Sequence, residues 1–388
     1  MVQILIVGGS ITGLMVALCL RSLGYNIRIL ETRDKLQSEA GLSLGPDIQK
    51  LLQQYVPWIN LDSVAVQNTG CVFYDSKGEV SHEVPLPGGS EKVMTSTWDA
   101  VYHLLLKDLE AGTNGHGQVW LDFRCHVIDV REEGEQMKVK YQCMRGEGKN
   151  ERVEQMEEEA DLVIGADGAN STVRRMVLPE LKAEYAGYLA WRGEFQVPNL
   201  EGKLKSVLEG KLGFLKMAES KSYILLYAKP SKEQSKHLVE WCWYYPCEKP
   251  SEYLKDKDGL EHQTTVTPDR FNPDVWKKHL ASTTVPLWIK PSLEQCKAPL
   301  LSAITSLTGE QSVFFGGRLI LLGDALCQLR PHLGESSNVA AHQVIQLVEA
   351  IRGKALKDWD LEIWEKYELL YAQERARSSK KAGEGYMG

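Results

Sequence analysis

The first 31 residues, MVQILIVGGSITGLMVALCLRSLGYNIRILE, read as apolar strand, glycine turn, helix, second strand and terminal acid. Val2 to Val7 form a near-continuous apolar run, the pattern of a parallel strand buried on both faces. Gly8, Gly9, Ser10, Thr12 and Gly13 follow, a GxGxxG pattern with serine at the middle glycine. The glycines permit a tight turn, and the helix starting near Ser10 can offer free amides to a pyrophosphate. Glu31 ends the second strand, where a carboxylate accepts hydrogen bonds from the hydroxyls of an adenosine ribose and disfavours a 2′-phosphate, and Thr32 and Arg33 extend that tip. A chain that opens in this way is expected to be α/β, with a dinucleotide site as the favoured reading and an ordinary strand-turn-helix as its rival.

The 388 residues leave room for two domains. With 45 basic against 52 acidic residues, scattered and netting −7, the chain lacks the footprint of a nucleic-acid binder. Eight cysteines without a CxxC pair argue against zinc, iron–sulfur or a disulfide framework, and for reduced thiols in a cytoplasmic protein. No metal is expected. No uncharged apolar stretch reaches about 18 residues, so no transmembrane segment is expected, and strand character at the N-terminus leaves no signal peptide.

Two further segments carry chemistry. DLVIGADGANSTVRR (Asp161 to Arg175) is an apolar strand delivering Asp167 and Gly168 to its tip. GRLILLGDALCQLRPHLGESSNVAAHQ (Gly317 to Gln343) is a strand delivering Gly323 and Asp324, then a loop with Pro331 and Gly334, then a helix opening at Ser336 or Ser337. Acids at carboxyl strand ends face the ligand crevice of an open α/β sheet, and the helix start aims free amides at the same place. Such an end stabilises negative charge developing on a bound ring. Between these motifs, Thr95 to Leu109 reads as a helix capped by Thr97 or Ser96, and Tyr185 to Tyr245 as aromatic-rich strands of a second sheet. Ser337 to Arg352 reads as a helix stopped by Gly353, and Trp359 to Ala376 as a charged helix whose tail frays after Arg377.

Taken together and in this order, the glycine turn, the Asp167-Gly168 pair, the Gly323-Asp324 pair and the Pro331, Gly334, Asn338 pattern resemble the class A FAD-dependent monooxygenases of the p-hydroxybenzoate hydroxylase type. TSTWDAVYHLLL (Thr95 to Leu106), YLAWRGE (Tyr188 to Glu194), WCWYY (Trp241 to Tyr245) and Arg330-Pro331-His332 are most similar to the 2,6-dihydroxypyridine hydroxylase subgroup. The resemblance implies a Rossmann-like FAD-binding domain with a parallel sheet, a second substrate domain with a mixed or antiparallel sheet, and a C-terminal helix. Residues 1–65, 92–178 and 300–355 are expected in the first, 66–91 and 179–299 in the second, and 356–388 in the terminal helix and tail. Ser336 stands where the family often has glycine, and Cys327 where it often has histidine.

The resemblance also implies non-covalent FAD, NADH or NADPH as a transient electron donor, and O2 as co-substrate. Gly8, Gly9, Ser10, Thr12, Gly13, Glu31, Thr32 and Arg33 would hold the ADP half. Asp324, next to Gly323, would hold the ribityl or pyrophosphate region, Asp167 would serve FAD and NAD(P)H together, and Pro331, Gly334, Ser336, Ser337 and Asn338 would border the isoalloxazine. The implied reaction hydroxylates or epoxidises an electron-rich aromatic or heteroaromatic small molecule, a phenol, pyridine or indole of secondary metabolism, through a flavin C4a-hydroperoxide. His332 and Arg192 are the candidate catalytic residues, and Tyr188, Trp191, Trp241 and Trp243 the candidate substrate contacts. Each has a rival reading: backbone support for His332, an interface ion pair for Arg192, core packing for the aromatics. A dehydrogenase, reductase or oxidative cyclase on the same fold is the alternative function, and a non-catalytic FAD-fold binding protein the second. A monomer or homodimer is expected.

Overall fold

A computed structural model of the chain describes residues 3–387 apart from 37, 39, 87–92, 112–116, 147, 196–200, 219–220 and 232–236. The opening segment forms strand Gln3–Val7, helix Ile11–Ser22 and strand Asn26–Leu30. Gln3–Val7 lies near the middle of a six-stranded sheet, parallel to Asn26–Leu30 on one side and to Leu162–Gly165 on the other. Leu319–Leu321 pairs parallel beyond Leu162–Gly165, and Val119–Asp122 beyond Asn26–Leu30. The three motifs thus sit at the carboxyl ends of three adjacent strands. Ile4, Leu5 and Ile6 are fully buried, as a strand covered on both faces requires.

Below this sheet, Cys125–Glu133, Gln136–Arg145 and Arg152–Ala160 form an antiparallel meander. Here one expectation is corrected: Cys125 and Cys143 face each other across the meander and are joined as a disulfide. The other six cysteines are free. A small three-stranded sheet, Gly41–Leu44, Val93–Thr97 and Ala65–Asn68, leads into helices Pro46–Tyr55 and Trp98–Ala111. Of the two candidate caps for the latter, Thr97 is the one, its Oγ1 accepting from the Ala100 amide at 3.1 Å, while Ser96 donates to the Val64 carbonyl.

The second domain is built on a large mixed sheet containing Gly70–Tyr74, Lys211–Lys216, Tyr223–Pro230, His237–Pro246, Glu184–Phe195 and Leu300–Thr308. Leu300–Thr308, just past the domain boundary expected at 300, pairs with Glu184–Phe195 in this sheet. Helix Ser336–Ile351 returns to the first core, and Gly353 follows it with a φ of 74°.

The tail is a second correction. The last helix does not fray after Arg377 but runs Glu362–Met387. Trp364, Glu368, Ala372, Ser379 and Gly383 are buried along one stripe of it. His342 of the preceding helix locks it in place, 3.6 Å from the Glu368 carboxylate, 3.3 Å from Asp47, and stacked on Tyr371 at 3.9 Å. Among the described residues no helix is long and apolar enough to cross a membrane.

Candidate active site

Local backbone demands shape the nucleotide crevice. Gly8 has a φ of 104°, and a Cβ there would lie 2.5 Å from the Ala166 carbonyl oxygen, so the turn and the Asp167 loop fit only without a side chain. Gly13 is equally fixed, because a Cβ would run into the Gly8 carbonyl where helix crosses strand. Glu31 accepts from the Gly9 amide at 2.8 Å with one oxygen and from the Arg33 amide at 2.9 Å with the other. The carboxylate therefore holds the turn while lining, with Ser10, Thr32, Arg33 and Gly168, a cavity of about 490 Å³. Ser10 precedes the helix without capping it, which leaves its hydroxyl to the cavity.

Asp167 is committed locally. One oxygen takes the Ser171 hydroxyl at 2.5 Å, and the other takes the Thr172 and Val173 amides at 2.6 and 3.1 Å. Asp324 differs: its carboxylate has no hydrogen bond among the described residues, and burial pushes it up to about 6 despite the pull of Arg174. Gly323 beside it has a φ of 60°, packs on Thr12, and donates its amide to Gln343 Oε1 at 2.8 Å.

Arg174, which the motifs do not mark as a site residue, and the side chains of Ser337 and Asn338 stitch the motifs together. The buried Arg174 guanidinium donates to the carbonyls of Ala169, Asp324 and Ala325, joining the Asp167 loop to the Gly323 turn. Asn338 Oδ1 accepts the Asp47 amide at 2.8 Å and so caps helix Pro46–Tyr55 from outside, and Ser337 donates to the Ser43 carbonyl at 2.6 Å. Gly334, left-handed with a φ of 65°, packs on Ser43. Ser336 opens its helix and is not among the residues with positive φ, so glycine is not needed there. Cys327 turns from the crevice, its thiol 3.7 Å from the Ala372 carbonyl of the terminal helix.

The loop that brings Gly334 to the crevice carries His332 into the large sheet. His332 is buried between two phenols: its Nε2 is 2.7 Å from the Tyr188 hydroxyl and its Nδ1 2.6 Å from that of Tyr223. Burial, then the Arg330 charge, lowers its pKa to about 4, so the ring is neutral at pH 7. Backbone Gly383 of the terminal helix presses on the ring, where a Cβ would collide. Tyr386 beyond it packs tilted against Phe214, ring centres 4.6 Å apart.

Strand parity sorts the aromatic candidates. Tyr188, Ala190 and Arg192 share a face with Tyr223, Leu225 and Tyr227 and with Glu240, Cys242 and Tyr244, following the pairings Arg192 to Cys242 and Cys242 to Leu225. Trp191, Trp241 and Trp243 point the other way and are fully buried against Trp276 and His279. The structure therefore brings Tyr188 and Arg192 to the His332 face and places the three tryptophans in the opposite core. Arg192 is half-buried and forms no ion pair among the described residues. The nearby Glu240 carboxylate is already held by the Tyr227 hydroxyl at 2.5 Å, Lys229 at 2.8 Å and the Gly41 amide at 2.8 Å.

The parallel sheet with a glycine turn, an unpartnered acid and a helix start at one edge, beside an aromatic mixed sheet, matches an FAD-binding hydroxylase fold. A family model described as FAD binding domain-like matches residues 185–306. The chain is 25% identical to 2,6-dihydroxypyridine 3-monooxygenase of Paenarthrobacter nicotinovorans over 375 residues, covering 95% of this chain and 87% of that protein. It is 24% identical to 6-hydroxynicotinate 3-monooxygenase of Pseudomonas fluorescens over 396 residues, covering 98% and 89%. The solved structure of 2,6-dihydroxypyridine-3-hydroxylase from Arthrobacter nicotinovorans superposes with a TM-score of 0.81 at 23% identity, over 99% of this chain and 92% of that one. The resemblance to FAD-dependent aromatic hydroxylases, and to the dihydroxypyridine subgroup, is thus met in sequence and in fold.

The residues present fit FAD. The glycine cradle tolerates no side chain, Asp324 is a carboxylate awaiting hydroxyl donors, and the first amides of helix Ser336–Ile351 have no side-chain cap.

Proposed function

We propose that the chain is an FAD-dependent, NAD(P)H-consuming monooxygenase that hydroxylates an electron-rich aromatic or heteroaromatic small molecule. The observation that carries this reading is the loop after Asp324, whose Gly334 packs on Ser43 just before helix Ser336–Ile351 and whose His332 side chain enters the tyrosine face. Gly8 to Gly13 and Glu31 would hold the ADP half, Asp324 the ribityl hydroxyls, and the amides of Ser336 to Asn338 the ring edge. Bound FAD would supply the redox chemistry, taking two electrons from NAD(P)H and activating O2 for transfer to the ring.

The chain's own residues do the positioning. Ala190, Leu225 and Cys242 give the tyrosine face a low floor between Arg192 on one side and Tyr188, Tyr223 and Tyr244 on the other. Arg192 would pair a substrate oxygen that carries negative charge, which the electron-rich ring needs for oxygen transfer. A neutral His332 donates from one ring nitrogen and accepts at the other, so one tyrosine hydroxyl donates a hydrogen bond to it while the other accepts one and keeps its own O–H to donate. His332 therefore acts on a substrate hydroxyl through Tyr188 or Tyr223, and its place between them fixes both phenols. The terminal helix at Gly383 and Tyr386 covers this end and excludes water.

Purified protein tested with hydroxypyridines, phenols and indoles should show substrate-stimulated NAD(P)H oxidation and incorporate label from ¹⁸O2 into the product. A flavin-loaded protein that oxidises substrate without label would instead be a dehydrogenase or cyclase. Asp324→Ala should lose bound FAD; full occupancy in that variant would remove Asp324 from the site.

A further inference from the structure

A second cavity, of about 290 Å³, lies between the terminal helix, strand Leu300–Thr308 and the segment 181–184. Four cations line it, Lys182, Arg330, Arg377 and Lys380, against the single carboxylate of Glu184. None of the four forms an ion pair or a hydrogen bond among the described residues, and Arg330 Nε is buried without a partner. Arg375 on the same helix is paired, reaching both Glu335 and Glu374. Four unneutralised cations around one small cavity repel one another, and in a chain of net charge −7 they form a local positive field. Arginine and lysine offer only donors, so their natural complement is an oxyanion with several acceptor oxygens. The cavity is at the small end for ligand sites, about 300 Å³, and suits a charged head group more than a whole dinucleotide.

We propose that this cleft binds a phosphate-bearing anion through Lys182, Arg330, Arg377 and Lys380. Its position connects it to the active site. Arg330 directly precedes the Pro331 turn, and Lys380 sits one helical turn before Gly383, which rests on His332. An anion bridging them fixes the loop and the covering helix together. Two sources share this chemistry: the pyrophosphate of a reduced nicotinamide dinucleotide, which rests on the proposed function, and a free phosphate or pyrophosphate compound, which does not.

The test titrates inorganic pyrophosphate by calorimetry into the FAD-loaded full chain, with Arg377→Glu/Lys380→Glu as one variant and Lys182→Glu as another. Both change exposed side chains, so FAD content and the unfolding midpoint serve as controls for folding. Binding by the wild type should weaken with ionic strength, and fall at least tenfold in the double variant and several-fold in Lys182→Glu. If NADH or NADPH competes with pyrophosphate and its KM rises in the double variant, the dinucleotide is the source. If pyrophosphate binding falls while those KM values hold, the ligand is a free phosphate compound. Wild-type protein that ignores pyrophosphate, or equal binding by all three proteins, overturns the proposal. Because the titration needs no turnover, a failed hydroxylation assay would leave its result standing.

Discussion

The two faces of the large sheet are made by the same strands and have opposite fates. On one, Trp191, Trp241 and Trp243 pack with Trp276 around His279, whose ring lies 4.7 Å from Trp243 and 4.9 Å from Trp191. Both His279 nitrogens, and the indole nitrogens of Trp191 and Trp241, lack partners among the described residues. On the other, His332 has a phenol at each nitrogen, Arg192 lies beside Cys242 without an ion pair among the described residues, and Ala190, Leu225 and Cys242 lie between them. Volume and apolarity fill the first face. Directed polar contacts order the second, which the terminal helix covers with Gly383 on His332 and Tyr386 against Phe214. Aromatic content alone does not separate core from site; what separates them is whether the polar atoms have been given partners.

Substitutions on the two faces should therefore separate stability from turnover. Trp241→Ala removes a fully buried ring and should lower the unfolding free energy by about 3–5 kcal/mol, the largest effect here, read from urea denaturation. Arg192→Gln keeps a donor beside Cys242 and should cost about 1 kcal/mol, well below the tryptophan loss. It should lower kcat/KM about 10- to 100-fold, a loss of roughly 1.4–2.7 kcal/mol in transition-state binding. Arg192→Gln unfolding as easily as Trp241→Ala would make the tyrosine face a second core. Trp241→Ala losing turnover at unchanged stability would make the tryptophan face part of the site.

The nucleotide crevice was legible because its residues answer backbone requirements that are local in sequence. Gly8 and Gly13 are where a Cβ cannot go, and the acids stand at strand tips. The substrate face was less legible because size drew the reading to the tryptophans. Parity on a single strand already separates Trp191 from Tyr188 and Arg192, and applying it would have pointed to Tyr223 and Tyr244 once the strand pairing was known. Pairing itself is a tertiary fact. The Cys125–Cys143 bridge depends on a hairpin whose register shifts between Lys140 and Tyr141, which spacing alone does not reveal. The terminal helix was cut short because its buried stripe ends in Ser379 and Gly383, small residues that carry no hydrophobic periodicity yet permit close approach to His332. Asp167 and Asn338 show a further limit: sequence does not reveal that their side chains tie down helix starts, which leaves the Asn338 backbone amide for a ligand.

Replacing one buried histidine on each face gives the finest comparison. Burial holds His279 near 4, as it does His332, against about 6.5 for a free imidazole. Each is a base whose pKa is lowered by folding, so the unfolded chain binds the proton first as pH falls. The stability each contributes is full above about pH 6.5 and drains away toward pH 4, by roughly 3 kcal/mol per histidine. Asp324 and Glu368, raised to about 6 and about 7, work in the opposite sense, so the signal lies in the difference between variant and wild type. Leucine at either position should flatten that pH dependence by a similar amount. At pH 8 the two variants should part. His332→Leu strands the Tyr188 and Tyr223 hydroxyls, costing about 1–3 kcal/mol for each buried unpaired group, and should slow turnover with FAD still bound. His279→Leu deprives no partner of a hydrogen bond and should stay within about 1.5 kcal/mol of wild type with turnover unchanged. Equal losses at pH 8 would mean that the two histidines are held in the same way, and that the phenols around His332 are packing rather than proton-handling groups.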